Sequence, residues 1–226
     1  MNYRQIFTKM NIDSETILNA YANGVFPMAR SVDDKYIEWI KPKKRGIIPI
    51  DNFYIPKSLK KTLKKKNYEI RIDTNFELTI SKCAEIRKDR EDTWINKTLK
   101  DSFIKLFEMG YAHSIEVWRD NNIIGGLYGL TLGSAFFGES MFSSEKDGSK
   151  IALCYLIANL RLSNFLLLDI QFITKHLKRF GAIEVSDTEY SILLENAITK
   201  KRKFCRNINY DDSIKLLDLH SKTQIS

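Results

Sequence analysis

The sequence predicts an α+β protein, with a small loop-rich N-terminal unit followed by a mixed-sheet domain. Three observations lead there. Alternating hydrophobic runs joined by a tight turn occupy the middle of the chain, an apolar helix follows them, and a strand–helix–strand unit comes next.

Residues 13–24 read as a short helix. Asp13 or Ser14 caps it, Ile17, Leu18 and Tyr21 form its apolar stripe, and Asn23-Gly24 ends it. The next stretch holds Pro27, Pro42 and Pro49, with Trp39 among them and a turn at Lys43-Lys44-Arg45-Gly46. Few regular elements are expected there. Residues 57–66 form a basic amphipathic helix in which Leu59 and Leu63 share one face. Tyr68 to Ile72 alternates like a strand. Asp73 or Thr74 then caps a helix carrying Phe76, Ile80, Cys83 and Ala84. Another helix follows Thr93, with Leu99, Phe103, Leu106 and Phe107 on its apolar side and Gly110 as its stop.

The period changes at His113. His113 to Arg119 alternates, Asp120-Asn-Asn122 is a hairpin turn, Ile123 to Leu132 is a second strand and Ser134 to Met141 a third. Ser149 or Lys150 opens an apolar helix reaching about Leu162. Phe165 to Gln171 is a near-continuous apolar strand, as expected of a sheet covered on both faces. Thr174 to Phe180 is a short helix, Ala182 to Val185 a strand, and Asp187 caps a last helix. The expected division is an N-terminal domain over 1–65, a sheet domain over 66–200 and a basic tail over 201–226, with 199–206 on the surface.

Composition narrows the function. Hydrophobic residues at 43% and charged residues at 28% of 226 exclude a disordered chain. Lys and Arg outnumber Asp and Glu by 36 to 28, a net charge of +8, which favours an anionic partner, nucleic acid before a membrane surface. No apolar run approaches the roughly 18–20 residues needed to span a bilayer. Met1 to Ile6 has no signal-peptide character, so no membrane partner is expected. Cys83, Cys154 and Cys205 are isolated, which excludes a disulfide framework and a CxxC metal site and fits a reducing cytoplasm. Lys57, Lys60, Lys61, Lys64, Lys65 and Lys66, with Arg71, meet no acid until Glu69. On so short a segment of a basic chain they suit phosphate contacts, although a charge run is more often a solvated face.

Several strings stand in a distinctive order. They are Tyr21-Ala-Asn-Gly-Val-Phe-Pro-Met28, Trp39 with Arg45-Gly-Ile-Ile-Pro49, and Thr93-Trp-Ile95. Further on come Ala112-His-Ser-Ile-Glu-Val-Trp118, Gly125-Gly-Leu-Tyr-Gly129, Gly138-Glu-Ser-Met-Phe-Ser143, and Leu168-Asp-Ile-Gln171 with His176-Leu177. Over residues 15–195 the chain resembles the bacterial leucyl/phenylalanyl-tRNA–protein transferases. It departs from their pattern at Ile170, where Cys is frequent, and at Gly148, where Ala is common. The resemblance implies an N-acetyltransferase-like C-terminal domain. It also implies transfer of Leu or Phe, and weakly Met, from aminoacyl-tRNA to the N-terminal amine of proteins that begin with Arg or Lys. Such tagging marks the acceptor for degradation.

That reaction is aminolysis of an activated ester, so no metal or other cofactor is expected. Orientation alone can supply about 7–11 kcal/mol of such a barrier. Asp169 and Gln171 share one strand face by period two. Gln171, whose family counterpart is described as the activating residue, is read as the acceptor that orients the attacking amine, with Asp169 polarising the site. The alternative is a capping Asp169 and a satisfied core Gln171. Glu139, among Phe136, Phe137, Met141 and Phe142, needs a partner or a raised pKa. It is read as the ligand of the donor's α-ammonium, or alternatively as a buried salt bridge with Arg119 or Lys150. By resemblance, Leu127, Phe136, Met141, Leu153, Leu156 and Leu168 line the aminoacyl pocket, where a flexible Met suits both Leu and Phe. Plain core packing is the competing account of the same residues. Trp39 and Trp94 are candidates to stack on the terminal adenosine. Trp118 and His113 are read as structural.

Two other functions remain open on sequence. One is an acyl-CoA-dependent N-acyltransferase, disfavoured because Ser144-Glu-Lys-Asp-Gly-Ser149 has one glycine and two acids where a pyrophosphate loop would lie. The other is a non-catalytic tRNA-binding protein, which would leave Glu139, Asp169 and Gln171 without purpose. A monomer is expected.

Overall fold

The computed structural model describes residues 3–9, 12–86 and 92–219. Its elements in order are β1 (Tyr3–Lys9), α1 (Ser14–Ala22), β2 (Phe26–Met28), β3 (Tyr36–Pro42), β4 (Lys44–Ile47), α2 (Lys57–Lys64), β5 (Glu69–Ile72), α3 (Phe76–Ala84) and α4 (Lys97–Glu108). Then follow β6 (Ala112–Arg119), β7 (Asn122–Leu132), β8 (Ala135–Ser143), α5 (Gly148–Leu162), β9 (Leu167–Gln171), α6 (Lys175–Lys178), β10 (Ile183–Ser186), α7 (Asp187–Ile198) and α8 (Tyr210–Leu219).

The α+β class holds. Among the described residues, a seven-stranded sheet has the order β10-β4-β9-β8-β7-β6-β5, and its one parallel pair is β8 with β9. The helix between them, α5, is apolar nearly all round because it lies on the sheet with α2 and α8 against it. Leu59 and Leu63 of α2 and Leu217 of α8 share this core with Leu153, Leu156 and Leu168. The opposite face holds α1, α3, α4 and α7 over Tyr128, Leu130, Phe137 and Leu167. A parallel pair bridged by a buried helix inside a mostly antiparallel sheet is compatible with the N-acetyltransferase-like fold.

Local chemistry explains most boundaries. Asp13 accepts from the Thr16 N–H at 2.6 Å and starts α1. Asp120 and Asn121 both have positive φ, 47° and 61°, as a two-residue hairpin turn matched to strand twist requires. The start of α5 presses directly on β7: a Cβ on Gly125 would lie 2.4 Å from the Gly148 carbonyl carbon. Some caps fall one or two residues from the expected ones. Asn75 rather than Asp73 or Thr74 caps α3, and Ser186, in a capping box with Glu189, precedes Asp187.

The first 50 residues are more regular than expected. β1, β3 and β2 form a three-stranded antiparallel sheet, and β4 enters the large sheet between β10 and β9. The prolines sit where strands tolerate them: Pro27 on the edge strand β2 and Pro42 at the end of β3. Residues 44–65 therefore belong with the larger sheet and its α5-side core, not with an N-terminal domain ending at 65. The expected surface tail is also corrected. Lys201 to Lys203 are exposed, but Phe204 is buried, stacked on His113 at 4.5 Å and on Phe136 at 5.5 Å. Asn159 clasps Cys205 through Nδ2–H to the carbonyl at 2.6 Å and Oδ1 from the N–H at 3.2 Å, and α8 then packs on α5. A single aromatic among cations hides this anchor from composition.

Candidate active site

β8 and β9 stay paired through Phe137 and Asp169, and their pairing ends there. On the other side of β8, Tyr128 of β7 faces Ser140 while Gly129 faces Gly138. Glu139 is the extra residue of this bulge, and a bulge re-aims the side chain it carries. A cavity of about 360 Å³ opens where the two strands part. Its apolar wall comes from Leu127, Met141, Leu153, Leu156 and Leu168, joined by Ile170 and Leu177. Phe26, Met28, Trp94 and Phe172 close another side, and Glu139, Gln171, Thr174 and His176 are among its polar groups.

Asp169 lies fully buried behind this cavity, where β9 passes β4. Its Oδ1 accepts from Arg45 Nε at 2.9 Å and from the Gln171 backbone N–H at 2.8 Å. Its Oδ2 accepts from Arg45 Nη2 at 2.7 Å and from the Tyr190 hydroxyl at 2.6 Å. Arg45 also donates from Nη1 to the Gly24 carbonyl at 2.9 Å, and its guanidinium lies between the rings of Phe26 and Tyr190, 4.8 and 4.6 Å from their centroids. Burial pulls the Arg45 pKa down, but the adjacent Asp169 more than reverses this, so the guanidinium stays charged. Burial, then Asp169, pushes Tyr190 up, which keeps its hydroxyl a donor.

Gln171 ends β9 in a left-handed conformation, φ 55°, which costs about 1–3 kcal/mol for a residue with a Cβ. The Asp169 carboxylate on its N–H holds it there. Its Nε2 donates to Glu139 Oε1 at 3.3 Å, which leaves Oε1 as the amide's accepting end. Glu139 Oε1 also accepts from the Tyr21 hydroxyl at 2.7 Å. Burial raises the Glu139 pKa to about 8; the Tyr21 bond and Arg45 oppose the rise and Asp169 adds to it. Burial, then Glu139, holds Tyr21 protonated.

The structure thus brings Glu139, Asp169 and Gln171 together, and neither salt-bridge partner considered for Glu139 is used. Arg119 pairs with Glu145, and Lys150 with Asp147 at 2.5 Å. Five of the six expected pocket residues line the cavity. Phe136 does not: it is fully buried in the α5-side core against Phe204. Trp94 lines the cavity, whereas Trp39 is 8% exposed on the middle strand of the small sheet, opposite Pro27, and is absent from the cavity wall. Pairing of β3 with β1 on one side and β2 on the other makes Trp39 a strand residue rather than a loop residue. Lys57, Lys61, Lys64 and Lys65 are exposed and Lys60 half-buried on α2. The Thr62 hydroxyl reaches Asp147 at 3.3 Å, which sets this helix beside the start of α5. Arg71 stands apart from the lysines: it is held bidentate by Glu69 at 2.9 and 2.7 Å and covers the half-exposed Trp118 ring at 4.5 Å. His113 Nδ1–H donates to the Asp73 carboxylate at 2.8 Å, and its ring stacks on Phe204 as a structural group.

Sequence reasoning missed Arg45, Tyr21, Tyr190 and His176 as site residues. Arg45 carried no distinct signal, standing third in the cationic run Lys43-Lys44-Arg45, and Tyr21 showed only as part of the apolar stripe of α1. Tyr190 carried none, since its partner is 21 residues away in sequence.

Comparisons with known proteins show the family of the chain. Residues 47–195 match the family model described as leucyl/phenylalanyl-tRNA protein transferase, and residues 10–43 match that of its N-terminal domain. A leucyl/phenylalanyl-tRNA–protein transferase of Paramagnetospirillum magneticum (strain ATCC 700264 / AMB-1) is 50% identical over 196 residues, covering 87% of this chain and 94% of the relative. The chain therefore belongs to the leucyl/phenylalanyl-tRNA protein transferase family and is an aminoacyltransferase.

Proposed function

We propose that this protein moves Leu or Phe, and weakly Met, from aminoacyl-tRNA to the N-terminal Arg or Lys of acceptor proteins in the cytoplasm, forming a peptide bond that marks them for degradation. The observation that carries this reading is an apolar cavity whose polar end holds Glu139 and Gln171, backed by the clamped Asp169. The donor side chain fills the wall of Leu127, Met141, Leu153, Leu156 and Leu168. One methylene is worth only about 1–3 kcal/mol in such a wall, so leakage to Met follows. Glu139 accepts the donor's α-ammonium, Gln171 Oε1 orients the attacking amine, and Trp94 frames the terminal adenosine. The competing acyl-CoA reading is disfavoured by Asp147, which places a carboxylate at the start of α5 where a pyrophosphate would need amides alone. The test is transfer of radiolabelled leucine from charged tRNA to an Arg-initiated peptide, with an Asp-initiated peptide as control. Equal labelling of the two, or none of either, refutes the proposal.

The α2 lysines supply phosphate contacts that position the acceptor stem without reading sequence. Replacing Lys60, Lys61, Lys64 and Lys65 with Ala raises KM for aminoacyl-tRNA and flattens its salt dependence by about 0.7–0.9 for each phosphate no longer neutralised. Leu59 and Leu63 are untouched, so the melting temperature stays near that of the unaltered protein. A salt slope that does not move removes these residues from the interface.

A further inference from the structure

Aminolysis leaves a proton to be placed, and none of Asp169, Gln171 and Glu139 can take it. The inference drawn from this rests on the transfer reading. Asp169 is spent: both oxygens are occupied by Arg45, by Tyr190 and by the Gln171 N–H. The Gln171 amide is not a base at neutral pH. Glu139, once ionised, is committed to the donor's ammonium, and its Oε1 already accepts from Tyr21 and Gln171. Among the described residues the same cavity wall holds one imidazole, that of His176, the second residue of α6 and five positions beyond Gln171.

We propose that His176 is the proton acceptor of the transfer step, lining the same cavity as Gln171 and Glu139 on the short helix that follows β9. The acceptor's α-amine, entering neutral, attacks the ester carbonyl carbon. The new C–N bond forms, the carbonyl pair moves to oxygen, and an N–H proton passes to the unprotonated ring nitrogen of His176. The C–O3′ bond then breaks and the imidazolium returns that proton to O3′, so no net proton is taken up or released. The surroundings favour both halves of this shuttle. The Phe180 ring meets the imidazole edge-on at 5.2 Å, and Thr174 caps the helix that carries it. Lys150 from α5 and Arg179 from the end of α6 face it, Lys175 and Lys178 lie on its own helix, and Glu139 is on the same cavity wall. Burial, then Lys150 and Arg179, holds its pKa below the usual histidine range. The ring therefore enters the reaction unprotonated, and the imidazolium, among cations, gives its proton up readily.

His176→Ala and His176→Gln, assayed with leucyl-tRNA and an Arg-initiated peptide, test this. We expect kcat to fall by about 10²–10⁴-fold, the range for loss of a general base, with KM for leucyl-tRNA within about twofold of the unaltered protein. Added imidazole restores His176→Ala, and the rescue grows with pH as the unprotonated fraction of imidazole rises. His176→Gln, which fills the space without a basic nitrogen, gains little. A melting curve for each variant separates misfolding from lost chemistry. A kcat within about threefold of normal, a loss that imidazole leaves unchanged, or a rise in KM with kcat kept would each overturn the assignment while leaving the transfer reading in place. Failure of the unaltered protein to transfer leucine at all would instead strike the reading beneath it.

Discussion

Asp169→Asn is expected to abolish measurable transfer and to lower stability by about 3–5 kcal/mol, the cost of leaving one member of a buried ion pair alone. For a chain of this length that is a fall of about 6–20 °C in melting temperature. The cause is geometric. Arg45 and Asp169 are 1% and 0% exposed in their side chains, and an amide cannot satisfy a bidentate guanidinium, a tyrosine hydroxyl and a backbone N–H at once. The Gln171 N–H loses its charged acceptor, and nothing then holds that residue at φ 55°. Transfer falls because Gln171 moves, since Asp169 is enclosed behind it. The pairing also predicts a non-additive cycle. Arg45→Met alone destabilises by a similar amount, and the double variant recovers part of the loss because no unpaired charge remains. Denaturant melts of the three variants measure this. Additive losses would show that the two side chains do not act as a unit. A Gln171→Ala variant separates the roles, since it is expected to lose transfer while keeping most of the stability.

How far the sequence could lead to this site differs residue by residue. β6, β7 and β8 were legible because alternation and the Asp120-Asn-Asn122 turn are local signals. Asp169-x-Gln171 was legible as a pair, because two polar residues closing an apolar strand are conspicuous. The clamp was not. Arg45, Tyr21 and Tyr190 reach Asp169 and Glu139 from β4, α1 and α7, and sequence carries no record of contacts between elements so far apart. Loop-like prolines around Trp39 concealed a small sheet, because Pro27 and Pro42 occupy an edge and an end where a strand loses little by their presence. Phe136 is expected in the pocket by resemblance alone, and nothing local in the sequence sets it apart from the residues that do line it. Its partner Phe204 lies in a segment that reads as a charged tail.

Glu139→Gln is the second large effect, and its sign depends on pH. The carboxyl's folded pKa of about 8 lies above the ordinary glutamate value of 4.5, so between those values the folded state holds a proton that the unfolded chain has released. The contribution of this carboxyl to stability is then full below about pH 4.5, declines through this window and levels off above about 8, a change on the order of a few kcal/mol. Gln cannot ionise and escapes the decline. The variant should melt with the unaltered protein near pH 4.5 and above it at pH 8.5. Binding runs the other way. An ionised carboxylate facing the donor's α-ammonium forms a charge-assisted bond worth about 1.5–3 kcal/mol, so Gln should weaken leucyl-tRNA binding by about 10–150-fold. Because the empty site is protonated at pH 7, donor binding must expel that proton. Calorimetry in buffers of different ionisation enthalpy should therefore show proton release with the unaltered protein and less with Glu139→Gln. If the two release equally, the donor's ammonium is held elsewhere, and the raised pKa of Glu139 reflects burial beside Asp169 without a role in donor binding.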